Sequence, residues 1–522
     1  MSDLLRPRFH FSPRQNWIND PNGLVWLDGE YHLFFQYNPH GDVWGHMSWG
    51  HAVSPDLTHW QELPVAIPED ADWMAFSGSI VVDHHNTAGL AAPGETALVA
   101  LYTGSAQRPP EHQVQNLAWS VDRGRTWTKW AGNPVLDLGV AHFRDPKVFW
   151  HGPSARWVML TVRSDLRMAS FYGSVNLRDW THLSDFGPTQ TGDGIWECPD
   201  LIPLTLPAQG SAAERLVWVL KIDIFEGHVA GSAGARVWFG EFDGVRFQAD
   251  DGQGAWVDWG MDFYAAASWA NLPASAGQAV WLGWLDNHVY ARELPTAPWR
   301  GQMSVPRTLS LGRSADGLEL LQQPVPAITA RRGALLLELR DQPIHGYQCL
   351  ALPEGIDASA LDIELVLRFA PDSQASAGLV LRASAPGAAG VSGESGVTGE
   401  TRATGQSGVS GEAGDSGLGP ASGTWAGYQA DSARLFLDRA HSGFLPTFAP
   451  YAGRRHAPYP RPVDGVVRLR VLLDASSVEV FTQDGRRWIS ERIIPAADSL
   501  SLYLWSSDGP VYLDVLRIFP MA

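Results

Sequence analysis

The chain has 522 residues, enough for about two to four domains, and its 45% apolar and 18% charged residues are typical of an ordered globular protein. Aspartate and glutamate exceed lysine and arginine by 56 to 38, a net charge of −18, so a nucleic-acid partner is not expected. The sequence has no apolar run of about 18 residues, the length that a membrane span needs. The first residues lack the apolar core of a secretory signal, so we expect a cytoplasmic protein.

The N-terminal half predicts short strands joined by turns. The chain contains 53 glycines and 36 prolines, and no long segment has the apolar spacing of an amphipathic helix. Apolar runs at 24–27 and 31–37 flank Asp28-Gly29, a pair typical of a two-residue hairpin turn. A further strand is predicted at 47–53.

A polar turn that ends in an aromatic residue recurs along this half. The closing residues are Trp60, Trp127, Trp180 and Phe247, which are separated by 67, 53 and 67 residues. Intervals of about 50 to 65 residues that each hold four strand-like runs are typical of β-propeller blades. A polar turn followed by tryptophan is also common in any tryptophan-rich β protein, so the period needs a second observation.

The second observation is the start of each interval, where a short polar group leads into an apolar strand. The five openings are 19–23, 76–79, 144–146, 197–200 and 262–264. Because the first strand of every blade lines the axis of a propeller, these polar groups should converge on one funnel. We therefore predict an all-β protein that begins with a five-bladed β-propeller over residues 1–320.

A β-sandwich is predicted over residues 335–522, where alternating or apolar runs favour antiparallel strands. These runs are 335–339, 361–369, 378–382, 433–437, 466–473, 477–481 and 500–504. Residues 383–423 interrupt them with glycine at nearly every third position but without proline from Gly387 to Gly419. We interpret this Gly/Ser-rich insertion as a flexible surface loop rather than a triple helix.

Three carboxylates share one placement at the blade openings. Asp20 and Asp145 directly precede proline, and Glu197 stands two residues before one. A residue before proline is restricted to extended backbone, so each side chain should leave the chain in a defined direction. One Asp-Pro pair usually marks only a turn, but three acids at blade openings predict a cluster whose charges perturb one another.

Several of these segments recur together in one known family. They are W-I-N-D-P-N-G at 17–23, Q-Y-N-P at 36–39, W-G-H-M-S-W-G-H at 44–51, F-S-G-S at 76–79, R-D-P at 144–146 and E-C-P at 197–199. Together they resemble the β-fructosidases of glycoside hydrolase family 32, which include invertases, levanases and exo-inulinases. Residues 299–307 are similar to that family's propeller closure, and 474–481 to a late sandwich strand. The resemblance implies the same fold, a five-bladed propeller followed by a sandwich.

The resemblance implies a catalytic role for each acid. Asp20 would be the nucleophile, Glu197 the general acid/base, and Asp145 a stabiliser that Arg144 holds against the fructosyl hydroxyls. A retaining glycosidase needs one ionised carboxylate and one protonated acid about 5 to 5.5 Å apart. We expect turn N–H groups to keep Asp20 ionised. Neighbouring carboxylates and apolar walls such as Trp196 should keep Glu197 protonated.

A fructose site should combine aromatic faces with hydrogen-bond donors. The substrate-binding residues that the resemblance implies are Asn19, Gln36, Trp44, Trp49, Phe76, Ser77, Arg144, Asp262 and Trp284. Trp49 is equally compatible with a core position, whereas Gln36 lies in an apolar strand where a buried amide needs a partner.

Neither a metal nor a cofactor is expected. His46 and His51 are five residues apart in a strand-like segment and point to opposite faces, which argues against a shared ion. Cys198 and Cys349 offer no metal spacing or disulfide framework. Cys198 is expected to pack rather than react, because a nucleophilic cysteine needs a placed histidine.

The predicted activity is removal of terminal non-reducing β-D-fructofuranosyl units from sucrose, fructo-oligosaccharides, inulin or levan, with exo action favoured by the 44–51 segment. Transfer of the fructosyl unit to another sugar would use the same intermediate and stays open. A carbohydrate-binding protein without turnover is an alternative of another class, and the presence of both Asp20 and Glu197 argues against it. An arabinanase-type glycosidase is disfavoured by the contiguous N-D-P-N-G and E-C-P segments.

The predicted sandwich carries no recognisable chemistry. Glu479 is expected to face either solvent or the propeller. The domain could brace the propeller or pair with another subunit, so both a monomer and a homo-oligomer are compatible with the sequence.

Overall fold

Strands account for almost all regular structure in the computed structural model, which describes residues 2–189, 194–208, 210, 213–277, 279–385 and 419–521. The helix Pro326–Ala330 (α1) has little more than one turn. The 3₁₀ turns are Ser2–Leu5, Gly152–Ser154, Ser164–Leu166, Ala274–Ala276, Ala291–Glu293 and Ala449–Ala452. Within these described ranges no helix is long and apolar enough to cross a membrane. The all-β prediction is confirmed.

Five antiparallel sheets surround a common axis. The first has strands Asn16–Leu27 (β1), Glu30–Tyr37 (β2), Ser48–Ser54 (β3) and Gln61–Ile67 (β4). The second has Trp73–Asp83 (β5), Ala97–Ala106 (β6), Gln113–Ser120 (β7) and Thr128–Lys129 (β8). The third has Phe143–His151 (β9), Arg156–Arg163 (β10), Met168–Ser174 (β11) and Thr181–Phe186 (β12).

The last two sheets follow the same plan. The fourth has Ile195–Leu206 (β13), Arg215–Phe225 (β14), Gly234–Phe242 (β15) and Phe247–Ala249 (β16), and Ala255–Trp256 (β17) also pairs with β15. The fifth has Tyr264–Ser268 (β18), Ala279–Trp284 (β19), Arg307–Ser314 (β21) and Gly317–Pro324 (β22), with Trp299–Arg300 (β20) between them in the chain. The innermost strands β1, β5, β9, β13 and β18 contact one another in a closed ring. The five-bladed propeller is confirmed.

The turns explain the repeat in the sequence. Asp28 and Gly29 have φ of +48° and +88°, as the predicted two-residue hairpin turn requires. The recurring polar turn connects the third and fourth strands of the first four blades. In each copy one side-chain oxygen accepts hydrogen bonds from two backbone N–H groups, and these oxygens belong to Asp56, Asp122, Asn176 and Asp243.

The ring closes through β20, which leaves the fifth blade and pairs in parallel with the start of β1. Asn16 lies opposite Trp299 and Trp17 opposite Arg300. The Arg300 guanidinium also lies 2.8 Å from the Asp42 carboxylate in the first blade. This contact fixes the segment that carries Trp17, which lines the cavity described below.

The C-terminal strands form the sandwich. They are Leu337–Cys349 (β23), Leu361–Phe369 (β24), Ser376–Ala383 (β25), Gly423–Gln429 (β26), Arg434–His441 (β27), Arg454–Pro458 (β28), Val466–Asp474 (β29), Ser477–Thr482 (β30), Trp488–Arg492 (β31) and Ser501–Pro520 (β32). The long β32 pairs with β25 through its first residues and with β24 through its last ones, so it connects both halves of this ten-stranded sheet. The predicted sandwich is confirmed. Most of the predicted insertion at 383–423 lies outside the described residues.

A buried network of ion pairs joins the propeller to the sandwich. Glu479 faces the propeller, as one of its two expected orientations required, and contacts His10 and Arg307 there. The ion pairs of this interface network are His10–Asp474 (2.8 Å), His10–Glu479 (2.8 Å), Arg307–Asp258 (3.0 Å), Arg307–Glu479 (2.7 Å), Arg439–Asp262 (2.6 Å), Arg439–Glu491 (2.6 Å), Arg455–Glu491 (3.0 Å) and Arg492–Asp286 (2.6 Å).

Candidate active site

Each innermost strand changes its pairing register where its candidate residues stand. The shifts fall between residues 18 and 21 in β1, 75 and 78 in β5, 144 and 147 in β9, 197 and 200 in β13, and 264 and 267 in β18. A β-bulge bends its strand and redirects side chains. The repeated bulges therefore direct polar side chains of five sequence-distant segments toward the propeller axis.

The bulges also correct one prediction about backbone conformation. Asp145 and Cys198 directly precede prolines, yet their φ values are +62° and +44°, in the left-handed region rather than the extended one. Such residues are strained unless the surroundings hold them. Here the Asp145 N–H donates to Thr103 Oγ1 at 2.8 Å, and the Cys198 N–H donates to Asp145 Oδ2 at 2.9 Å. The bulge, not the proline, sets the direction of the Asp145 side chain.

The three predicted acids line one cavity of about 750 Å³ at the axis. Nine of the twelve predicted site residues contribute to its walls. They are Asn19, Asp20, Gln36, Trp44, Phe76, Ser77, Arg144, Asp145 and Glu197. Trp44 is about half exposed at the mouth. The Gln36 amide donates to the Ala75 carbonyl at 3.1 Å, which gives this buried side chain the partner it needs.

Side chains surround Asp20 with donors. Asn19 Nδ2 donates to its Oδ1 at 2.9 Å and Ser77 Oγ to its Oδ2 at 2.5 Å, with the Cys198 thiol 3.4 Å from Oδ2. These contacts replace the turn N–H groups that we expected around Asp20. Burial raises the pKa of Cys198 well above its usual value, and the charges of Asp145 and Asp20 add to this effect. The thiol therefore stays protonated, as a packing role predicts.

Glu197 is held from two sides. Arg144 donates to its Oε1 from Nη2 at 2.8 Å and from Nε at 3.2 Å, and the Tyr264 hydroxyl donates to its Oε2. Arg144 Nε is 3.9 Å from the nearer Asp145 oxygen, so Arg144 holds Glu197 more directly than it holds the stabiliser, contrary to expectation. Trp196 packs against Phe186 and Trp238 instead of Glu197, because neighbouring residues of a strand face opposite sides.

The cavity is under-supplied with positive charge. The pKa of Asp145 is raised to about 7 because burial disfavours its charged form; Arg144 opposes this rise, and the charges of Glu197 and Asp20 add to it. The pKa of the Tyr264 hydroxyl is well above its usual value for similar reasons, burial first and then the charge of Glu197. Asp145 therefore gains or loses its proton near neutral pH.

A buried lysine supports the Glu197 bulge from behind. Lys221 Nζ donates to the Cys198 carbonyl at 2.6 Å and to Asp223 Oδ2 at 2.5 Å, and both side chains are fully buried. Asp223 lies opposite Glu197 in the β13–β14 pairing. Burial raises the pKa of Asp223 to about 8, with Lys221 opposing and Asp20 and Glu197 adding to the rise. Lys221 and Asp223 are the two charged residues inside the otherwise apolar run 217–224, a pattern from which a buried ion pair could have been predicted.

Three predicted substrate-binding residues do not line the cavity. Trp49 is buried behind it, where its Nε1 donates to the Phe76 carbonyl at 2.9 Å. Trp284 is buried beneath Trp17 and His288 and has no cavity surface. Asp262 stands before β18 in the interface network, where it binds Arg439. Asp262 is fully buried there, and Tyr264 is the residue of this opening that contacts Glu197, so substrate contact by Asp262 stays a prediction.

The walls also include residues that sequence reasoning missed. Gln113 Oε1 accepts from the Arg144 guanidinium at 3.4 Å and from the Phe143 N–H at 3.0 Å, so it orients the segment that carries Arg144. His288 and Arg292 reach the cavity from the connection between β19 and β20. These residues carry no regular spacing, since the start of the outer strand β7 supplies Gln113 and a connection supplies His288 and Arg292.

The cavity is closed at its base. Below the acids the axis narrows to a space of about 30 Å³. Lys147 fills this level, with its Nζ 3.1 Å from Asp200 and 2.8 Å from the Ser268 carbonyl. A larger depression of about 1090 Å³ lies beside the fourth and fifth blades, but the three acids do not line it.

Comparison with known proteins agrees with this geometry. Residues 10–324 match the sequence profile of the glycosyl hydrolases family 32 N-terminal domain, and residues 400–519 match that of the family 32 C terminal. A levanase from Bacillus subtilis (strain 168) is 40% identical over 525 residues, covering 99% of this chain and 70% of the relative. An extracellular exo-inulinase from Aspergillus awamori is 37% identical over 552 residues, covering 98% and 94%.

Solved structures show the same architecture. The exo-inulinase from Aspergillus awamori superposes with a TM-score of 0.86 at 34% identity, covering 99% of this chain and 98% of that one. The β-fructofuranosidase from Schwanniomyces occidentalis, complexed with fructosyl-erythritol, superposes with a TM-score of 0.82 at 27% identity, covering 99% and 97%. The two family 32 profiles match most of the chain, and the relatives match nearly all of it. The chain therefore belongs to family 32 of the glycosyl hydrolases.

Proposed function

We propose that this chain is a retaining, exo-acting β-fructosidase that removes terminal β-fructofuranosyl units from sucrose or fructans. The observation that carries the proposal is that Asp20, Asp145 and Glu197, which are far apart in the chain, line one closed cavity. The names of the levanase and exo-inulinase relatives, and the fructosyl-erythritol in the structure from Schwanniomyces occidentalis, support a fructosyl substrate.

Asp20 is the proposed nucleophile. Its two oxygens are oriented by Asn19 and Ser77, and a carboxylate that accepts such hydrogen bonds is stabilised in its charged form. Its attack on the anomeric carbon forms a fructosyl ester while the bond to the leaving-group oxygen breaks. Asp145, at the cavity wall next to Arg144, would accept hydrogen bonds from the sugar hydroxyls.

Glu197 is the proposed acid and base. It first gives a proton to the leaving oxygen and then removes one from the water that cleaves the ester, so the configuration is retained. Arg144 and Tyr264 hold its two oxygens on opposite sides, which fixes the direction of proton transfer. If a sugar hydroxyl replaces water, the same step makes a longer oligosaccharide.

The closed base supports exo action. A chain of sugars cannot pass through an axis that Lys147 fills, so one terminal unit enters and the remainder stays at the mouth beside Trp44. An aromatic face at the mouth is suited to packing against the leaving sugar. Contacts between this rim and the remainder of the substrate would determine the preference among sucrose, inulin and levan.

The proposal is tested by initial rates on sucrose, 1-kestose, inulin and levan, with sizing of the products. Fructose as the single early product from the polymers is expected, whereas early oligosaccharides would contradict exo action. Reaction in the presence of methanol should yield methyl β-fructofuranoside, and the α-anomer would exclude retention. Failure to cleave all four substrates would favour a carbohydrate-binding protein.

Variants connect the activity to the cavity. Asp20→Ala should abolish cleavage, and Glu197→Ala should lose it but recover part of it with azide, which needs no general base. Asp243→Asn is a suitable control, because Asp243 is an exposed turn residue that connects β15 to β16. An active Asp20→Ala enzyme would overturn the assignment.

A further inference from the structure

A cluster of two histidines and a glutamate lies near the cavity mouth and has no part in the proposed reaction. His40, His46 and Glu69 each place one potential metal-ligand atom within 4.8 Å of the other two. His46 Nδ1 is 2.8 Å from Glu69 Oε1, and the rings of His40 and His46 stand nearly perpendicular with their centroids 5.2 Å apart. Both histidines belong to the segment 38–47, which also carries Trp44 and so forms part of the cavity rim.

The backbone of this rim loop holds the two histidines on one side. Asn38 Nδ2 donates to the Val43 carbonyl at 2.8 Å, and the His40 N–H donates to Asn38 Oδ1 at 2.8 Å. Asp42, between the histidines in the chain, is fixed by its ion pair with Arg300. The loop conformation is therefore established by other residues, and the cluster is available for a ligand.

The surroundings of Glu69 favour a cation. Gln107 Nε2 donates to Glu69 Oε2 at 3.1 Å and so orients the carboxylate while leaving Oε1 directed at His46. A partner that fixes a ligating side chain from outside is a usual part of metal sites. Asp70 and Asp72 follow in the same segment, and the whole chain has a net charge of −18. Lys129 already pairs with Asp70 at 2.7 Å, so Asp72 and the net negative charge are what favour cations at this face.

We propose that His40, His46 and Glu69 bind a divalent transition-metal ion such as Zn²⁺. Two imidazole nitrogens and one carboxylate oxygen are a common zinc ligand set, with water in the fourth position. At bonds of about 2.0 to 2.1 Å, tetrahedral ligands are roughly 3.3 Å apart, so modest rotation of these exposed side chains completes the site. Mg²⁺ prefers six oxygen ligands and is not suited to it.

The ion would connect the rim loop to the segment that precedes β5. His40 and His46 lie in the first blade and Glu69 in the link to the second, so one ion joins two elements that form the mouth. The site lies outside the cluster of three acids. Because its ligands come from two elements, a bound ion would hold the loop that carries Trp44. It is independent of the proposed hydrolysis.

The test is a competition titration of the full-length chain with a chromophoric chelator and Zn²⁺. One ion per chain with a Kd in the micromolar range or below is expected. The double variant His40→Ala/His46→Ala should lose this site, and Glu69→Gln should weaken it by about tenfold or more. Excess Mg²⁺ should not displace the ion.

The control is His182→Ala, which removes another exposed histidine that contacts a carboxylate, Asp185, at 3.1 Å. It should bind Zn²⁺ like the unaltered chain. Zn²⁺ should also raise the melting temperature of the unaltered chain and of this control but not of the double variant. The proposal is overturned if the unaltered chain takes up no Zn²⁺ at 100-fold excess, or if the double variant retains the same stoichiometry and affinity.

Discussion

Two groups of buried carboxylates occupy this molecule, and they differ in how positive charge is supplied to them. At the domain interface each acid of the network lies within 3.0 Å of an arginine or histidine nitrogen. Around the cavity, Arg144 is the one basic side chain in the described part of the chain that contacts the acids, and it lies 2.8 Å from Glu197 and 3.9 Å from Asp145. Lys221 is nearby but is paired with Asp223.

The paired charges of the interface are suited to stabilising the fold, whereas the acids of the cavity are suited to exchanging protons. In the interface network the pKa of Glu479 is lowered, because His10 and Arg307 outweigh the effect of burial. In the cavity the pKa of Asp145 is raised to about 7. Pairing does not always outweigh burial, since the pKa of Asp286 is raised to about 6 despite Arg492. Of these two groups, the cavity is the one in which three acids have a single contacting basic side chain among the described residues, which favours proton transfer near neutral pH.

The largest effect should come from removing a charge that has no cationic partner. Asp20→Asn should reduce kcat on sucrose by about 10⁴-fold or more, because the proposed nucleophile is lost. The free energy of unfolding should stay the same or rise, since one of three mutually repelling acids becomes neutral. Steady-state kinetics and urea unfolding measure both quantities. A strongly destabilised variant would show that Asp20 stabilises the fold, as the paired acids of the interface do.

The opposite result is expected at the interface. Glu479→Gln should lower the free energy of unfolding by about 3 to 5 kcal/mol, because the buried Arg307 and His10 each lose one of the two carboxylates that they contact. The remaining folded molecules should cleave sucrose at nearly the normal kcat. Urea unfolding and active-site-normalised rates test this. Loss of kcat without loss of stability would contradict the comparison.

The interface should also make stability depend on pH. Burial disfavours the His10 imidazolium, but Asp474 and Glu479 outweigh this and raise its pKa from 6.5 to about 9. Because the folded value is the higher one, the stabilisation is complete below about pH 6.5 and is lost as the pH rises through 9. The total is roughly 3 kcal/mol. Unfolding free energies from pH 6 to 10 should show this slope, and His10→Gln should remove it.

The smallest effect concerns the buried pair behind Glu197. Asp223→Asn removes a group that ionises near pH 8 opposite Glu197 and leaves Lys221 in place, so around that pH protons should leave the three acids more easily. The alkaline limb of the kcat/KM profile should move to lower pH by roughly one unit. Asp243→Asn, at an exposed turn, should leave the profile unchanged. A reduced rate with an unmoved profile would indicate a purely structural role for Asp223.

The sequence predicted the fold through repetition. Polar turns whose Asx side chains accept backbone hydrogen bonds recur at the same place in four blades, and polar openings recur in five. These patterns are visible in the sequence because every blade forms the same turns and strand starts from residues that are close together in the chain. The acids Asp20, Asp145 and Glu197 stood at those openings and were found for the same reason.

Other residues had no such local signal. Asp262 stands at a blade opening as the acids do, yet it belongs to the interface, because residues near 439 and 492 of the sandwich provide its partners. Gln113 reaches the cavity from the start of β7, and His288 and Arg292 reach it from the connection between β19 and β20. Long-range packing, rather than spacing along the chain, decides such positions.

The amino-acid sequence alone determined the order of blades, the sandwich and the identity of three acids, since these depend on hydrophobic alternation and turn chemistry within short segments. The tertiary structure decided that Arg144 grips Glu197, that bulges with positive φ aim Asp145 and Cys198, and that Lys221 supports them. It also decided which buried acids are neutralised and which are left short of positive charge. The physical reason is that protonation and side-chain direction depend on neighbours within a few ångströms, and those neighbours come from distant parts of the chain.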